Sequence, residues 1–189
     1  MRKPSAKFEY KTFTLGEKLT EEQKEYFKKY GVIQFKKFIE PETAELFISE
    51  LAKIEKQWLA EGIEKVKGIP LKFGKDHEGN PMIQRMCFTN QFSPVLAELI
   101  RDPRLQLLIE LLAPYEGRIS EDEKDGLVFN HYINQPNSKF SQMGWHTDSP
   151  RDLFLGQKIL PMLNVGIHLD NCPSSNGGLR VLPGTHTQG

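Results

Sequence analysis

The sequence is poor in cysteine, carries no net charge and has no long apolar run. Its two cysteines, Cys87 and Cys172, are distant and form no CxxC pair, which fits a reducing compartment better than a disulfide framework. We expect both thiols to be buried. Lysine plus arginine total 25 and aspartate plus glutamate total 25, so no basic field would attract nucleic acid or anionic lipid.

No apolar segment approaches the roughly 18 residues that span a bilayer, and the N-terminus has no apolar stretch typical of a secretory signal. We therefore expect a soluble, cytoplasmic protein with neither a nucleic-acid nor a membrane partner. Hydrophobic residues make up 38% of the 189 residues, which is enough for one core and typical of one domain. We expect a single domain over residues 1–189.

The first half of the chain has helical signals. The sequence TEEQ at residues 20–23 fits a capping box and predicts a helix from Thr20 to about Lys29, ended by Gly31. The run VIQFKKFI predicts a strand, and Ser93 and Asp102 are placed to cap two later helices. Between the predicted strand and these two helices, a long amphipathic helix is predicted from an apolar stripe of Ala44, Phe47, Leu51, Ile54 and Trp58.

Strand signals follow later in the chain. Residues 62–80 predict a loop or hairpin with His77 exposed in its turn, and YEGRISEDEKDG predicts an exposed loop. The sequence MLNVGIHLDN alternates, with Leu163, Val165, Ile167 and Leu169 on one face and Asn164, Gly166 and His168 on the other. Helices before strands predict an α+β fold, with a helical part at about 1–125 and a strand-rich part at about 126–189.

The sequence GWHTDSP places His146 and Asp148 two residues apart. On a strand both side chains point to the same face. Such a pair is two thirds of the 2-His-1-carboxylate triad that holds Fe(II) and leaves positions open for other ligands. The tripeptide equally fits a hydrogen-bonded surface or core pair, so this pattern alone leaves metal binding open.

The surrounding motifs carry a family resemblance. The order INQP, HTD and NGGLRVLPGTH, after helical segments of the type described above, resembles the phytanoyl-CoA dioxygenase family of Fe(II)- and 2-oxoglutarate-dependent oxygenases. The resemblance covers most of the chain. It implies N-terminal helices packed on a double-stranded β-helix, or jelly roll. That barrel is expected to be incomplete here, because only about four or five of its roughly eight strands are recognisable.

The resemblance also implies roles for individual residues. His146 and Asp148 match the first two iron ligands. His131 matches a position that lines the co-substrate pocket, and Gln84 matches one that contacts 2-oxoglutarate. If His131 and Gln84 bind no ligand, they are ordinary residues of a barrel interior or edge. The histidine of the PGTH turn, His186, lies outside the metal shell in the family. Asn164 and His168 are expected to make structural hydrogen bonds.

The implied function is hydroxylation of a small organic substrate, with Fe(II) as cofactor and 2-oxoglutarate and dioxygen as co-substrates. Family members place a distal iron histidine and an anion-binding arginine or lysine several tens of residues after the PGTH turn. We expect that this chain, which stops at Gly189, belongs to a longer oxygenase and has little activity alone. The alternatives are a divergent complete protein in which His186 completes the triad, and a non-catalytic jelly-roll binding module. The oligomeric state stays open.

Overall fold

The computed structural model describes residues 8–133, 144–147, 161–173, 175 and 178–187. Over these ranges the α-helices are α1 (Glu21–Tyr30), α2 (Pro41–Glu61), α3 (Pro94–Ile100) and α4 (Pro103–Leu108). The β-strands are β1 (Thr12–Phe13), β2 (Gln34–Phe35), β3 (Lys65–Val66), β4 (Ile69–Pro70), β5 (Lys72–Lys75), β6 (Pro81–Met86) and β7 (Phe129–Asn130). Helices and small sheets in one chain confirm the α+β class.

Helix α1 begins and ends as predicted. The Thr20 hydroxyl accepts the Gln23 backbone N–H at 3.2 Å, and the Gln23 side chain accepts the Thr20 N–H at 2.9 Å. This reciprocal pair is the predicted capping box. Gly31 follows the helix in the left-handed conformation, with a φ of 68°. The strand predicted from VIQFKKFI is shorter than expected, because Lys37 has a φ of 54° and cannot continue the extended backbone of β2.

Helix α2 provides one side of the main hydrophobic core. All five residues of the predicted stripe are buried, and Trp58 is only 2% exposed. Phe47, Leu51, Ile54 and Trp58 pack with buried residues of β6 and α3, including Ile83, Met86 and Leu96. Because burying one such side chain contributes about 1.5–3 kcal/mol, this stripe fixes α2 on the sheet.

Strands β5, β6 and β7 form an antiparallel sheet with β6 in the centre. Residues 62–80, predicted as a loop or hairpin, contain the β3–β4 hairpin and the turn that joins β5 to β6. His77 is exposed in that turn, as predicted. On the other side of β6, Arg85 pairs with Asn130 and Met86 with Phe129. This register brings the chain after β7 alongside Gln84.

The charged loop before β7 is mostly exposed, as predicted, and is fixed to the sheet by polar contacts. The Asn90 amide donates to the Glu121 carbonyl at 3.0 Å, and its oxygen accepts the Leu127 N–H at 3.1 Å. Arg85 forms a partly buried ion pair with Asp125 at 2.6 Å. These contacts fix the loop in the position from which the chain continues into β7, next to β6.

The alternating segment near residue 165 follows its predicted pattern in part. Leu163 and Ile167 pack on a second apolar cluster around Leu19, Leu105 and Leu108, and Leu169 packs on the main core. Val165 is 45% exposed and departs from the prediction. No strand occurs over residues 161–173. The strand expected from the alternation of MLNVGIHLDN is therefore not formed, although Leu163, Ile167 and Leu169 pack on apolar clusters.

The two cysteines differ. Cys87 is fully buried, as predicted, and burial raises the pKa of its thiol. The prediction for Cys172 was wrong: this residue is exposed, because residues 170–173 pack against no core. In the described residues, no helix combines the length and apolar character needed to cross a membrane.

Candidate functional site

Gln84 and His131 occupy facing positions on neighbouring strands. The backbone N–H of His131 donates to the Gln84 carbonyl at 2.8 Å, which extends the β6–β7 register by one residue. Facing residues on antiparallel strands have Cβ atoms about 5 Å apart. Two residues that the family resemblance selects separately are therefore neighbours in space.

The Gln84 side chain is enclosed. It is 3% exposed, and its carboxamide lies over Gly74 of β5, where an ideal Cβ would be 2.5 Å from Gln84 Cδ. Its Oε1 is buried and makes no hydrogen bond in the described structure. An unsatisfied buried polar atom costs about 1–3 kcal/mol, so a polar ligand or water that donates to this oxygen would stabilise the site. The same amide has two N–H donors that suit a carboxylate.

His131 lies half-buried beside a cleft of about 320 Å³ between α2 and the β5–β6 hairpin. Two carboxylates on the wall of this cleft already have internal partners. Glu55 accepts the Ile83 N–H at 2.5 Å, and Asp76 accepts the Asn80 N–H at 2.8 Å. Hydrogen bonds from Asn80 hold the Asp76 pKa below its usual value. Lys56 and His131 also line this cleft and can donate hydrogen bonds to a ligand.

His146 is exposed, and its ring Nδ1 lies 2.8 Å from the Gly144 carbonyl oxygen. A carbonyl oxygen only accepts hydrogen bonds, so Nδ1 must carry the hydrogen, and the lone pair of the neutral ring is then on Nε2. A backbone carbonyl bonded to one ring nitrogen commonly orients a histidine that binds metal through the other. This orientation of His146 is compatible with a ligand role for Nε2.

The second predicted iron ligand, Asp148, lies outside the described residues. In the described part of the chain, no group of three or more histidine, cysteine, aspartate or glutamate side chains could hold a metal ion. Iron binding by His146 and Asp148 therefore stays a prediction.

Three other residues named from the sequence lie elsewhere. Asn164 and His168 are exposed. His186 contacts the end of α1, where its Nε2 lies 3.1 Å from the Lys28 carbonyl oxygen. Sequence reasoning missed Gly74, which makes room for the Gln84 carboxamide. The available signal was a glycine inside a strand, which often marks the close approach of another group.

No curated protein and no solved structure matches the chain. Residues 27–189 match the family model described as Phytanoyl-CoA dioxygenase (PhyH). The matched range includes β6, β7 and the HTD sequence. Because this match covers far more than half of the 189 residues, the chain belongs to the phytanoyl-CoA dioxygenase family.

Proposed function

We propose that this protein is an Fe(II)- and 2-oxoglutarate-dependent dioxygenase that hydroxylates a small organic substrate. Family membership supports oxygenase chemistry. The observation that supports the assignment of His146 is the hydrogen bond from its Nδ1 to the Gly144 carbonyl oxygen, because this hydrogen bond places the lone pair of the neutral ring on Nε2.

His146, through Nε2, and Asp148, through its carboxylate, would hold the iron. When bound, Fe(II) would activate dioxygen, so that 2-oxoglutarate, dioxygen and substrate R–H yield succinate, carbon dioxide and R–OH. The Gly144 carbonyl limits rotation of the imidazole and keeps the hydrogen on Nδ1. Without that acceptor, the ring could turn and present the wrong nitrogen to the metal.

Gln84 and His131 would contact 2-oxoglutarate. The Gln84 amide N–H groups can donate to a carboxylate, and its burial would strengthen that hydrogen bond by excluding water. His131 faces Gln84 across the strand pair and can contribute a second donor. Gly74 allows this arrangement, since any side chain there would displace the Gln84 carboxamide.

The proposed architecture is one domain in which the N-terminal helices pack on a jelly roll. Family membership supports it. In this arrangement β7 and the following residues belong to the barrel. Residues about 126–189 would then provide its first half.

Succinate formation tests the proposal. The full-length protein is incubated with 2-oxoglutarate and dioxygen, with and without Fe(II), and succinate is quantified. We expect iron-dependent succinate from the wild type and from His77→Ala, whose exposed histidine lies in the β5–β6 turn. His146→Ala should lower the rate by about 100-fold or more, in line with loss of metal-site residues. Absence of iron-dependent succinate in the wild type, or an unchanged rate in His146→Ala, would refute the proposal.

A non-catalytic binding module is the second candidate. The same assay separates the two functions. A binding module would produce no iron-dependent succinate, and substitution of His146 would change no activity.

A further inference from the structure

The PGTH turn lies on the C-terminal end of α1. The Gly184 N–H donates to the Tyr30 carbonyl at 2.7 Å, and His186 Nε2 lies 3.1 Å from the Lys28 carbonyl oxygen. The last four carbonyls of a helix have no intrahelical partner. Two of these carbonyls in α1 are thus satisfied by residues more than 150 positions away along the chain.

Gly31 makes this contact possible. The His186 ring covers it so closely that an ideal Cβ would lie 2.2 Å from Nδ1 and 2.3 Å from Cγ. The φ of Gly31 is 68°, a conformation that itself favours glycine. Gly62 ends α2 with nearly the same φ, 66°, but has nothing within 4 Å of its ideal Cβ. The chain therefore contains a natural control that separates backbone strain from the His186 contact.

The acceptor determines which His186 nitrogen carries hydrogen. The Lys28 carbonyl oxygen cannot donate, so Nε2 must be the donor, and the lone pair of the neutral ring is on Nδ1. Nδ1 lies against Gly31. This tautomer is the opposite of the one that Gly144 imposes on His146. His146 and His186 thus carry their ring hydrogens on opposite nitrogens.

From these contacts, we infer that His186 is a positioning residue that caps α1 and holds residues 178–187 on the first helix. Donors at a helix C-terminus also interact favourably with the helix dipole. The inference depends on the α1 contacts alone and does not require that the protein bind iron. It assigns a structural task to the histidine that could otherwise complete the iron triad.

A double-mutant cycle tests the contact. Gly31→Ala should lower the melting temperature more than Gly62→Ala, by roughly 3–8 °C, because only the former forces the His186 ring away. In a His186→Ala background this difference should fall to about 1 °C or less, since the clash is gone. If the difference between the two glycine substitutions is the same in both backgrounds, the inference is wrong.

Two local readouts separate positioning from general stability. Long-range ¹H–¹⁵N NMR of the wild type should show hydrogen on His186 Nε2, and hydrogen on Nδ1 alone would overturn the inference. His186→Gln keeps a donor near the Nε2 position and should preserve slow exchange of the Gly184 amide. His186→Phe keeps a ring without a donor, and should speed that exchange by about tenfold. Unchanged Gly184 exchange in His186→Phe would contradict the assignment.

Metal titration distinguishes this inference from the proposed function. If the wild type binds Fe(II), His186→Gln should bind it with unchanged affinity, whereas loss of iron binding would make His186 a ligand and overturn the inference. If the wild type binds no Fe(II), the proposed function fails. The exchange and NMR results then still decide the role of His186.

Discussion

Gly74 lies beneath the Gln84 carboxamide, and an ideal Cβ at position 74 would be 2.5 Å from Cδ and 2.7 Å from Nε2 of that side chain. Gln84 is almost completely buried, so its amide cannot simply turn into solvent. The two residues lie on adjacent strands of one sheet, and each constrains the other. Gln84, a candidate ligand-binding residue, can thus keep this position only because Gly74 has no side chain.

Gly74→Ala should therefore destabilise the protein by about 1–3 kcal/mol, the usual cost of forcing extra volume into a packed site. Urea unfolding measures the change. Gly16→Ala is the matched control, because the nearest atom to its ideal Cβ is 3.9 Å away. Equal stabilities for the two variants would show that Gln84 yields without cost. If Gln84 contacts 2-oxoglutarate, Gly74→Ala should also weaken binding of that compound.

The core assignment of α2 predicts different results for two leucines of the same helix. Leu51 is 4% exposed and Leu46 is 48% exposed. Leu51→Ala should lower the free energy of unfolding by about 2–5 kcal/mol, because it leaves a cavity in the core. Leu46→Ala should change it by about 0.5 kcal/mol. Chemical denaturation of both variants gives the comparison, and a larger loss for Leu46→Ala would contradict the described packing.

Asn90→Ala tests how the charged loop is fixed. The substitution removes two hydrogen bonds, to the Glu121 carbonyl and from the Leu127 N–H. We expect a loss of about 2 kcal/mol and faster hydrogen exchange at the Leu127 amide. The NMR chemical shifts of His131 should also change, because the loop leads into β7, which directly precedes His131. If Leu127 exchange is unchanged, the loop does not depend on Asn90.

Glu50 predicts a pH dependence of stability. Its carboxylate accepts hydrogen bonds from Lys53 at 2.6 Å and from Ser93 at 2.7 Å, and these contacts lower its pKa from the usual 4.5. A carboxyl group whose pKa is lower in the folded state stabilises the protein above its unfolded pKa. This stabilisation is lost as the pH falls below about 4.5 and through the lower folded value.

Glu50→Gln should consequently reduce the loss of stability between pH 6 and pH 3, as measured by urea unfolding across that range. Glu45→Gln provides the control, since Glu45 is an exposed glutamate of the same helix. If both variants lose stability as steeply as the wild type when the pH falls, the prediction for Glu50 is wrong.

The helices could be predicted because short-range rules determine them. The capping box at Thr20 and the apolar stripe of α2 use only neighbouring residues, and both are confirmed. The length of a strand depends on pairing with residues far away in the chain and on the backbone conformation of individual residues. Lys37, with its positive φ, shortens β2 in this way. Cys172 illustrates a third limit. Its burial depends on whether its whole segment reaches a core, which residue type does not determine.

The family resemblance selects the candidate site residues but does not give their arrangement. The family motifs select Gln84, His131 and His146, and the structure places the first two opposite each other. Gly74 makes room for Gln84 from the adjacent strand of the same hairpin, and Gly31 makes room for His186 from a distant part of the chain. Contacts of this kind depend on the absence of a Cβ, and no periodic pattern in the sequence reveals them.

The central claim is that His146 presents Nε2 to iron, and an anaerobic Fe(II) titration of the full-length protein tests it most directly. Saturable binding of about one iron per chain is expected for the wild type and for His77→Ala. His146→Ala should bind iron at least about tenfold more weakly. Equal iron affinity in His146→Ala, or no saturable iron binding by the wild type, would contradict the account.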